Sequence, residues 1–309
     1  MIYTVTLNPA IDKTVVVENL TPGGVNRIRS IRADVGGKGI NVSKCLKTLG
    51  CPSTAAAFWG GTAGQRGMDF LAEQGIGSLP VAVAGDTRTN LKIIDPIRGE
   101  NTDINEPGPI ISPDHVAELL AKLDGSVKPG DILILSGSVP GGCEPTIYRD
   151  MIARYRARGA KVCLDADGEA FRLGLTAIPS LVKPNREELE RYMGKTLAAM
   201  ENVIGAAEQL LHSGIEEVVV SLGADGAILL REGLCLRAEG LQVPVGSTVG
   251  AGDSMVAALA FGMERGMEPA ERLRLAVAIS AASVMCSGTQ APERETIENL
   301  YTKVCVREV

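Results

Sequence analysis

The residues Thr248-Val-Gly-Ala-Gly-Asp253 run directly into a stretch of helical character, Ser254–Gly266. Gly250 and Gly252 let the backbone turn tightly and approach a ligand closely. The unpaired N–H groups of a helix's first turn, with the aligned peptide dipoles behind them, favour an anion at that point. An aspartate there repels anions, so Asp253 makes poor sense as a binding group. It makes good sense as a general base, taking a proton from a hydroxyl while the amides of Gly250, Ala251 and Gly252 hold a transferring phosphoryl group. These six residues leave a second reading open, a strand-to-helix turn in which Asp253 caps the helix.

Other segments carry compatible chemistry. Gly36-Gly-Lys-Gly-Ile-Asn41 leads into a helical pattern, Val42–Leu49. Lys38 offers charge to a phosphate, and Asn41 can hydrogen-bond a sugar hydroxyl. The spacing is not that of a Walker A loop, and no G-x-G-x-x-G follows the first strand, so a dinucleotide fingerprint is missing. Asp12 and Ser136 each fall at the carboxyl end of a strand-like run, where parallel sheets gather their ligands. Asp12 can instead cap a turn. Arg88, in Asp86-Thr-Arg-Thr-Asn-Leu-Lys92, presents a guanidinium fork suited to a substrate phosphate. Asn185 and Glu188 share a helix face and suit either a hydrated magnesium ion or a reciprocal helix cap. Ser221-Leu-Gly-Ala-Asp-Gly226 is a glycine-rich turn fit for a nucleotide or a hairpin.

The elements that must position these groups alternate between strand and helix. Ile132–Leu135 and Val218–Val220 are continuously apolar, as expected of strands covered on both faces. Between them lie helical patterns: one opened by Ser112-Pro113-Asp114, then Glu144–Arg158, Met200–Ser213 and Pro269–Ser287, the last three each stopping at a glycine. Thr14–Val35 and Leu91–Asn105 break the rhythm with short strands and turns, which suggests a small sheet standing off the main body as a lid. Arg27 and Arg29 alternate on one of its faces if that stretch is a strand.

Composition narrows the classes. A chain of 309 residues with 45% hydrophobic and 22% charged residues has the make-up of a globular protein. The net charge of −6 argues against nucleic acid or an anionic membrane surface as partner. No apolar run approaches a membrane span, and the first residues lack a signal-peptide pattern, so a cytoplasmic location is expected. Seven cysteines without a C-x-x-C pair read as reduced thiols. His115 and His212 are the only histidines, which disfavours a histidine-rich zinc site or a Ser–His–Asp triad.

Six motifs together resemble the ribokinase-type carbohydrate kinases, in their phosphofructokinase-B branch. They are Thr6-Leu-Asn-Pro-Ala-Ile-Asp12, Gly36-Gly-Lys-Gly-Ile-Asn-Val-Ser43, Ser136-Gly-Ser138, Val182-Lys-Pro-Asn-Arg-Glu-Glu188, Val219-Val-Ser-Leu-Gly-Ala-Asp-Gly226 and Ser247-Thr-Val-Gly-Ala-Gly-Asp-Ser254. They occur in the family's order over nearly the whole chain. The resemblance implies one ribokinase-like α/β domain over residues 1–309. It would be a Rossmann-like, mainly parallel sheet with helices on both faces and a small β-sheet lid formed from about 12–35 and 88–108. It also implies ATP, Mg2+, a sugar-phosphate acceptor and a homodimer joined through the lids.

By that resemblance Asp253 is the base and Gly250, Ala251 and Gly252 form the anion hole. Asp12, Gly37 and Asn41 contact the sugar, with Arg88, Lys38 and Arg27 at its phosphate and Ser136 on the same side. Lys183, Asn185, Ser221, Gly223 and Thr248 fall on the nucleotide side, with Glu188 toward the metal. Ser287-Gly-Thr-Gln-Ala-Pro292 matches no pattern that decides whether a monovalent cation is also used. The reaction expected is ATP-dependent phosphorylation of fructose 1-phosphate to fructose 1,6-bisphosphate. Tagatose 6-phosphate is the alternative acceptor. A sugar-phosphate-binding regulatory protein without catalysis is the alternative of a different class.

Overall fold

A computed structural model describes all 309 residues. The main sheet has ten strands, in the order β14-β13-β12-β11-β10-β9-β8-β1-β4-β5. Its parallel part comprises β1 (Ile2–Thr6), β4 (Ser53–Gly60), β5 (Gly77–Val83), β8 (Ile132–Ser136), β9 (Lys161–Asp165), β10 (Leu181–Val182) and β11 (Glu217–Ser221). Three antiparallel strands, β12 (Ala227–Arg231), β13 (Leu234–Ala238) and β14 (Val306–Glu308), close one edge. This is the mainly parallel α/β sheet that the alternation of elements predicts.

Successive side chains of a strand point to opposite faces, and here both faces are covered. Leu133 and Leu135 of β8 join Val218 and Val220 of β11 in the larger core, whereas Ile132, Ile134 and Val219 belong to the other. The first core is roofed by α3 (Pro113–Ser126), α4 (Ile147–Ala157), α5 (Gly168–Leu175), α6 (Arg186–Met193) and α7 (Met200–His212). The second is roofed by α1 (Lys38–Thr48), α8 (Ala251–Arg265), α9 (Pro269–Val284) and α10 (Arg294–Tyr301). The remaining helix, α2 (Gly61–Glu73), sends Leu71 against Ala55, Ala57 and Trp59 of β4. No helix is long and apolar enough to cross a membrane.

Helix ends follow the local chemistry with four departures. Ser112 caps α3 with Pro113 in its first turn, as its residue types predict. The two glycine-rich helices start earlier than their apolar periodicity suggests, α1 at Lys38 rather than Val42 and α8 at Ala251 rather than Ser254. A glycine loop has no apolar face to announce a helix, yet its backbone is free to wind into one. At the other end, α9 stops at Val284, short of the expected Ser287. The segment Glu144–Thr146 is also not helical, because α4 begins at Ile147.

The second sheet has four strands in the order β3-β2-β6-β7: β2 (Ala10–Val16), β3 (Ser30–Gly36), β6 (Arg88–Asp95) and β7 (Glu100–Asn105). Its pairing puts Asp12 opposite Asn90 and Asp34, on one face. Val15, Ile31 and Ile93 share the other face. Arg272 of α9 and Glu217 of β11, both buried, form a two-pronged ion pair at 2.8 and 2.5 Å. Gly262 makes room for it, since a Cβ there would sit 2.3 Å from Arg272 Cγ.

Removing one partner of such a buried pair leaves an uncompensated charge, which costs about 3–5 kcal/mol. Arg272→Met is therefore expected to lower unfolding stability by that amount in urea titrations, and adding Glu217→Leu to restore most of it.

Candidate active site

The strands β9, β10 and β11 all end at one side of the sheet, and the loops that leave them line a cavity of about 660 Å3. Asp12, Gly37, Lys38, Asn41, Arg88, Lys183, Asn185, Glu188, Ser221, Gly223, Thr248, Gly250, Ala251, Gly252 and Asp253 all line it. The structure thus gathers almost every residue singled out by sequence. Two are not gathered. Arg27 is exposed in the loop between β2 and β3 and does not line the cavity. Ser136 is fully buried behind the start of α1, where a Cβ on Gly39 would lie 3.1 Å from its Oγ. A serine at a strand's carboxyl end has the right position for a ligand contact, but here the following helix packs over it.

Two helix N-termini converge on this cavity, and neither is closed by a side chain. α1 is preceded by Gly37 (φ 105°) and α8 by Gly250 (φ 84°), and neither glycine supplies a capping hydrogen bond. Left-handed backbone suits glycine, and at Gly37 a Cβ would also lie 2.8 Å from Thr6 Cγ2. The first-turn amides of both helices therefore remain available to an anion. By contrast, Asn185 caps α6 with its side chain, and Glu188 Oε2 accepts a 2.8 Å bond from the Asn185 backbone N–H in return. The reciprocal-cap reading of that pair holds.

Asp253 sits in the first turn of α8 and is 6% exposed. It does not cap the helix. Its Oδ2 accepts a 2.8 Å hydrogen bond from Asn41 Nδ2. Burial, then repulsion from Asp165, pushes its carboxyl up to about 6, against the pull of Lys38, the Asn41 bond and Lys183. Asp165 ends β9 and is 2% exposed, with Lys183 Nζ at 3.3 Å and Lys38 Nζ at 3.5 Å from its Oδ1. Burial alone would raise its carboxyl, but the two ammonium groups hold it below the usual range. Burial works against the charge of Lys38, and the attraction of Asp165, Asp253 and Glu188 outweighs it, so its ammonium titrates above the ordinary lysine range.

At the lid end, Asn90 Nδ2 donates to Asp12 Oδ1 at 2.9 Å. Burial raises the Asp12 carboxyl despite that bond and nearby Lys44 and Arg88. Arg88 points its guanidinium at the lid's stems, donating to Asn8 O at 3.1 Å and Glu106 O at 3.4 Å. Lys44 Nζ ties Val35 O of the lid to Thr289 O at 2.9 and 2.7 Å, joining β3 to the loop after α9. At the far end the wall is apolar, built from Leu241, Val243, Val277, Ala281 and Val284 beside the turn that holds Gly223 and Gly226. That turn is both the β11–β12 hairpin and a cavity wall, so neither reading of it excludes the other.

Sequence reasoning missed Asp165, Asn90 and the apolar wall. Asp165 directly follows the apolar run Val162–Leu164, the same signal that drew attention to Ser136. Asn90 meets Asp12 only through the pairing of β2 with β6, which no local pattern reveals.

Residues 5–296 match the pfkB family of carbohydrate kinases. The chain belongs to that family. The kinase is 38% identical to the 1-phosphofructokinase of Rhodobacter capsulatus over 99% of this chain and 97% of the relative. It is 36% identical to the 1-phosphofructokinase of Bacillus subtilis over 99% of both. Among solved structures it resembles phosphofructokinase-2 from Escherichia coli in complex with substrates and products, with a TM-score of 0.93, 30% identity and 98% of each chain covered. The family match and the structural match each extend over nearly the whole chain.

Gly36 precedes this kinase's first cavity helix, and a Cβ on it would stand 1.9 Å from Asp12 Oδ2. Gly36→Ala is expected to displace the Asp12 carboxylate, and the expectation that Asp12 contacts the sugar is tested by a rise of about tenfold in the acceptor KM, the size of one lost charge-assisted hydrogen bond. Steady-state kinetics that leave the nucleotide KM within twofold would locate the effect at the lid end.

Proposed function

We infer that this kinase transfers the γ-phosphoryl group of ATP to the free primary hydroxyl of fructose 1-phosphate, giving fructose 1,6-bisphosphate. The observation that carries the reading is Asp253, a buried carboxylate placed at the convergence of two helix N-termini whose amides no side chain occupies. The names of the relatives supply the acceptor.

In this reading Asp253 takes the hydroxyl proton as the hydroxyl oxygen bonds to the γ-phosphorus, and the bond from that phosphorus to the β–γ bridging oxygen breaks, releasing ADP. Phosphoryl transfer depends mainly on positioning and on matching developing charge. The amides of Gly250, Ala251 and Gly252 meet that charge together with Lys38. Asp12, Gly37 and Asn41 hold the sugar, and Arg88 its own phosphate. Lys183, Asn185, Ser221, Gly223 and Thr248 hold the nucleotide, with its base against the apolar wall. Arg27 and Ser136 have no part, since neither reaches the cavity. Glu188 lines the cavity and spends only Oε2 on its cap, so Oε1 suits a hydrated magnesium ion. Such an ion supplies charge neutralisation at the phosphates. A regulatory protein that only binds sugar phosphate has no use for a buried base.

The lid supports a further part of the reading, a homodimer. Its inner face carries Asp12 and Asn90, while Ile31 and Ile104 on the other face are 57% and 54% exposed. A second copy laid on that face would cover them. Light scattering is expected to show a dimer, and Ile31→Glu to shift it to monomer at micromolar concentration.

An ADP-release assay over fructose 1-phosphate, fructose 6-phosphate, tagatose 6-phosphate and unphosphorylated sugars tests the activity. Fructose 1-phosphate is expected to give the highest kcat/KM. A preference for tagatose 6-phosphate would reassign the acceptor, and no turnover with any of them in folded protein would favour the regulatory reading. Asp253→Asn should lose about 2–4 orders of magnitude in kcat, the usual range for a lost general base. The base must be ionised to act, so kcat/KM should rise with pH through an inflection near 6.

A further inference from the structure

Asn41 lies in the first turns of α1 and is 6% exposed. Its hydrogen bond to Asp253 joins two motifs that stand 212 residues apart. A carboxylate accepts and cannot donate, so the amide must turn its NH2 to Asp253. Its carbonyl is then left over, and Asn41 Oδ1 is buried without any partner. A buried acceptor with no donor is costly unless something brings one.

Other groups face Asp253 from several elements. Asp165 at the end of β9 opposes its ionisation, and Lys38 of α1 and Lys183 after β10 favour it. Lys44 and Cys45, further along α1, also feel its charge, and Cys45 Sγ lies 3.2 Å from Ser254 Oγ. Both active-site lysines place their ammonium groups on Asp165. The Asn41 amide is the group that hydrogen-bonds the Asp253 side chain. A bond donated to a carboxylate stabilises its charged form and occupies one of its two oxygens.

We propose that Asn41 is a positioning residue for the base: it fixes the Asp253 side chain through Oδ2, leaves Oδ1 of Asp253 as the single oxygen facing the acceptor hydroxyl, and offers its own free carbonyl to a second hydroxyl of the same sugar. One amide thereby couples reading of the substrate to the state of the base. The inference rests on the role of Asp253 given above.

The pH dependence of kcat/KM tests it, because the position of the inflection reports the base and the height reports everything else. Asn41→Ser cannot span the gap, and its inflection should move up by about one pH unit. The variant would then lose about fivefold more rate near pH 6 than at pH 9. Its acceptor KM should rise at every pH. Asn41→Asp keeps the size of the side chain and sets a second carboxylate against Asp253, so its inflection should move further still. Thermal unfolding and nucleotide binding check that both variants fold. A loss of equal size from pH 6 to 9, or an inflection that stays in place, would overturn the proposal while leaving Asp253 as the base. Turnover surviving in Asp253→Asn would instead remove the base itself.

Discussion

The structure depends on keeping two carboxylates, Asp253 and Asp165, buried in one cavity without letting them neutralise each other's use. Burial, and then their repulsion, raises Asp253, and two lysines hold Asp165 below the usual carboxylate range. Both lysines bond the same oxygen of Asp165, so their charge is drawn to one side of the cavity. The outcome is a contrast set by environment: Asp165 holds two ammonium groups, and Asp253 is the carboxylate pushed up to about 6, as the proposed proton-accepting role requires. Separating groups of like charge in this way requires rigid supports, and the fold supplies them at strand and helix ends.

Those supports come from unrelated parts of the chain. Asp165 and Lys183 emerge from adjacent parallel strands, whose register is fixed by hydrophobic alternation into two cores. Asp253 and Asn41 belong to helices α8 and α1, which pack side by side through small residues such as Cys45 and Ser254. The glycines before each helix do two jobs. They permit left-handed backbone, and they leave the first-turn amides without a competing side chain.

Much of this was legible from residues in order. The apolar runs announced covered parallel strands, Ser112-Pro113 announced a helix start, and the glycine-rich segments announced the cavity. What local pattern cannot show is which segments meet. Asn90 reaches Asp12 through sheet pairing, and Asn41 reaches Asp253 across most of the chain. The start of α8 escapes for a related reason: Ala251 and Gly252 carry no periodic signal, so the apolar pattern begins at Ser254 although the helix starts before Asp253. Ser136 shows the converse error, a well-placed polar residue that tertiary packing removes from view. The apolar wall between Leu241 and Val284 escaped because its members are ordinary core types, told apart from the core only by the space beside them.

The ion pair between Arg272 and Glu217 fastens α9 to the sheet. That helix carries Val277, Ala281 and Val284, the surface against which a nucleotide base would rest. One end of the cleft is accordingly anchored to the sheet by a buried charge pair. The opposite end belongs to the four-stranded sheet, whose Ile11 and Val35 pack against β4 and whose β3 is tied by Lys44 to the loop after α9. Loosening one end of the cleft therefore need not disturb the other, since a buried charge pair holds the first while strand pairing and a lysine bridge hold the second.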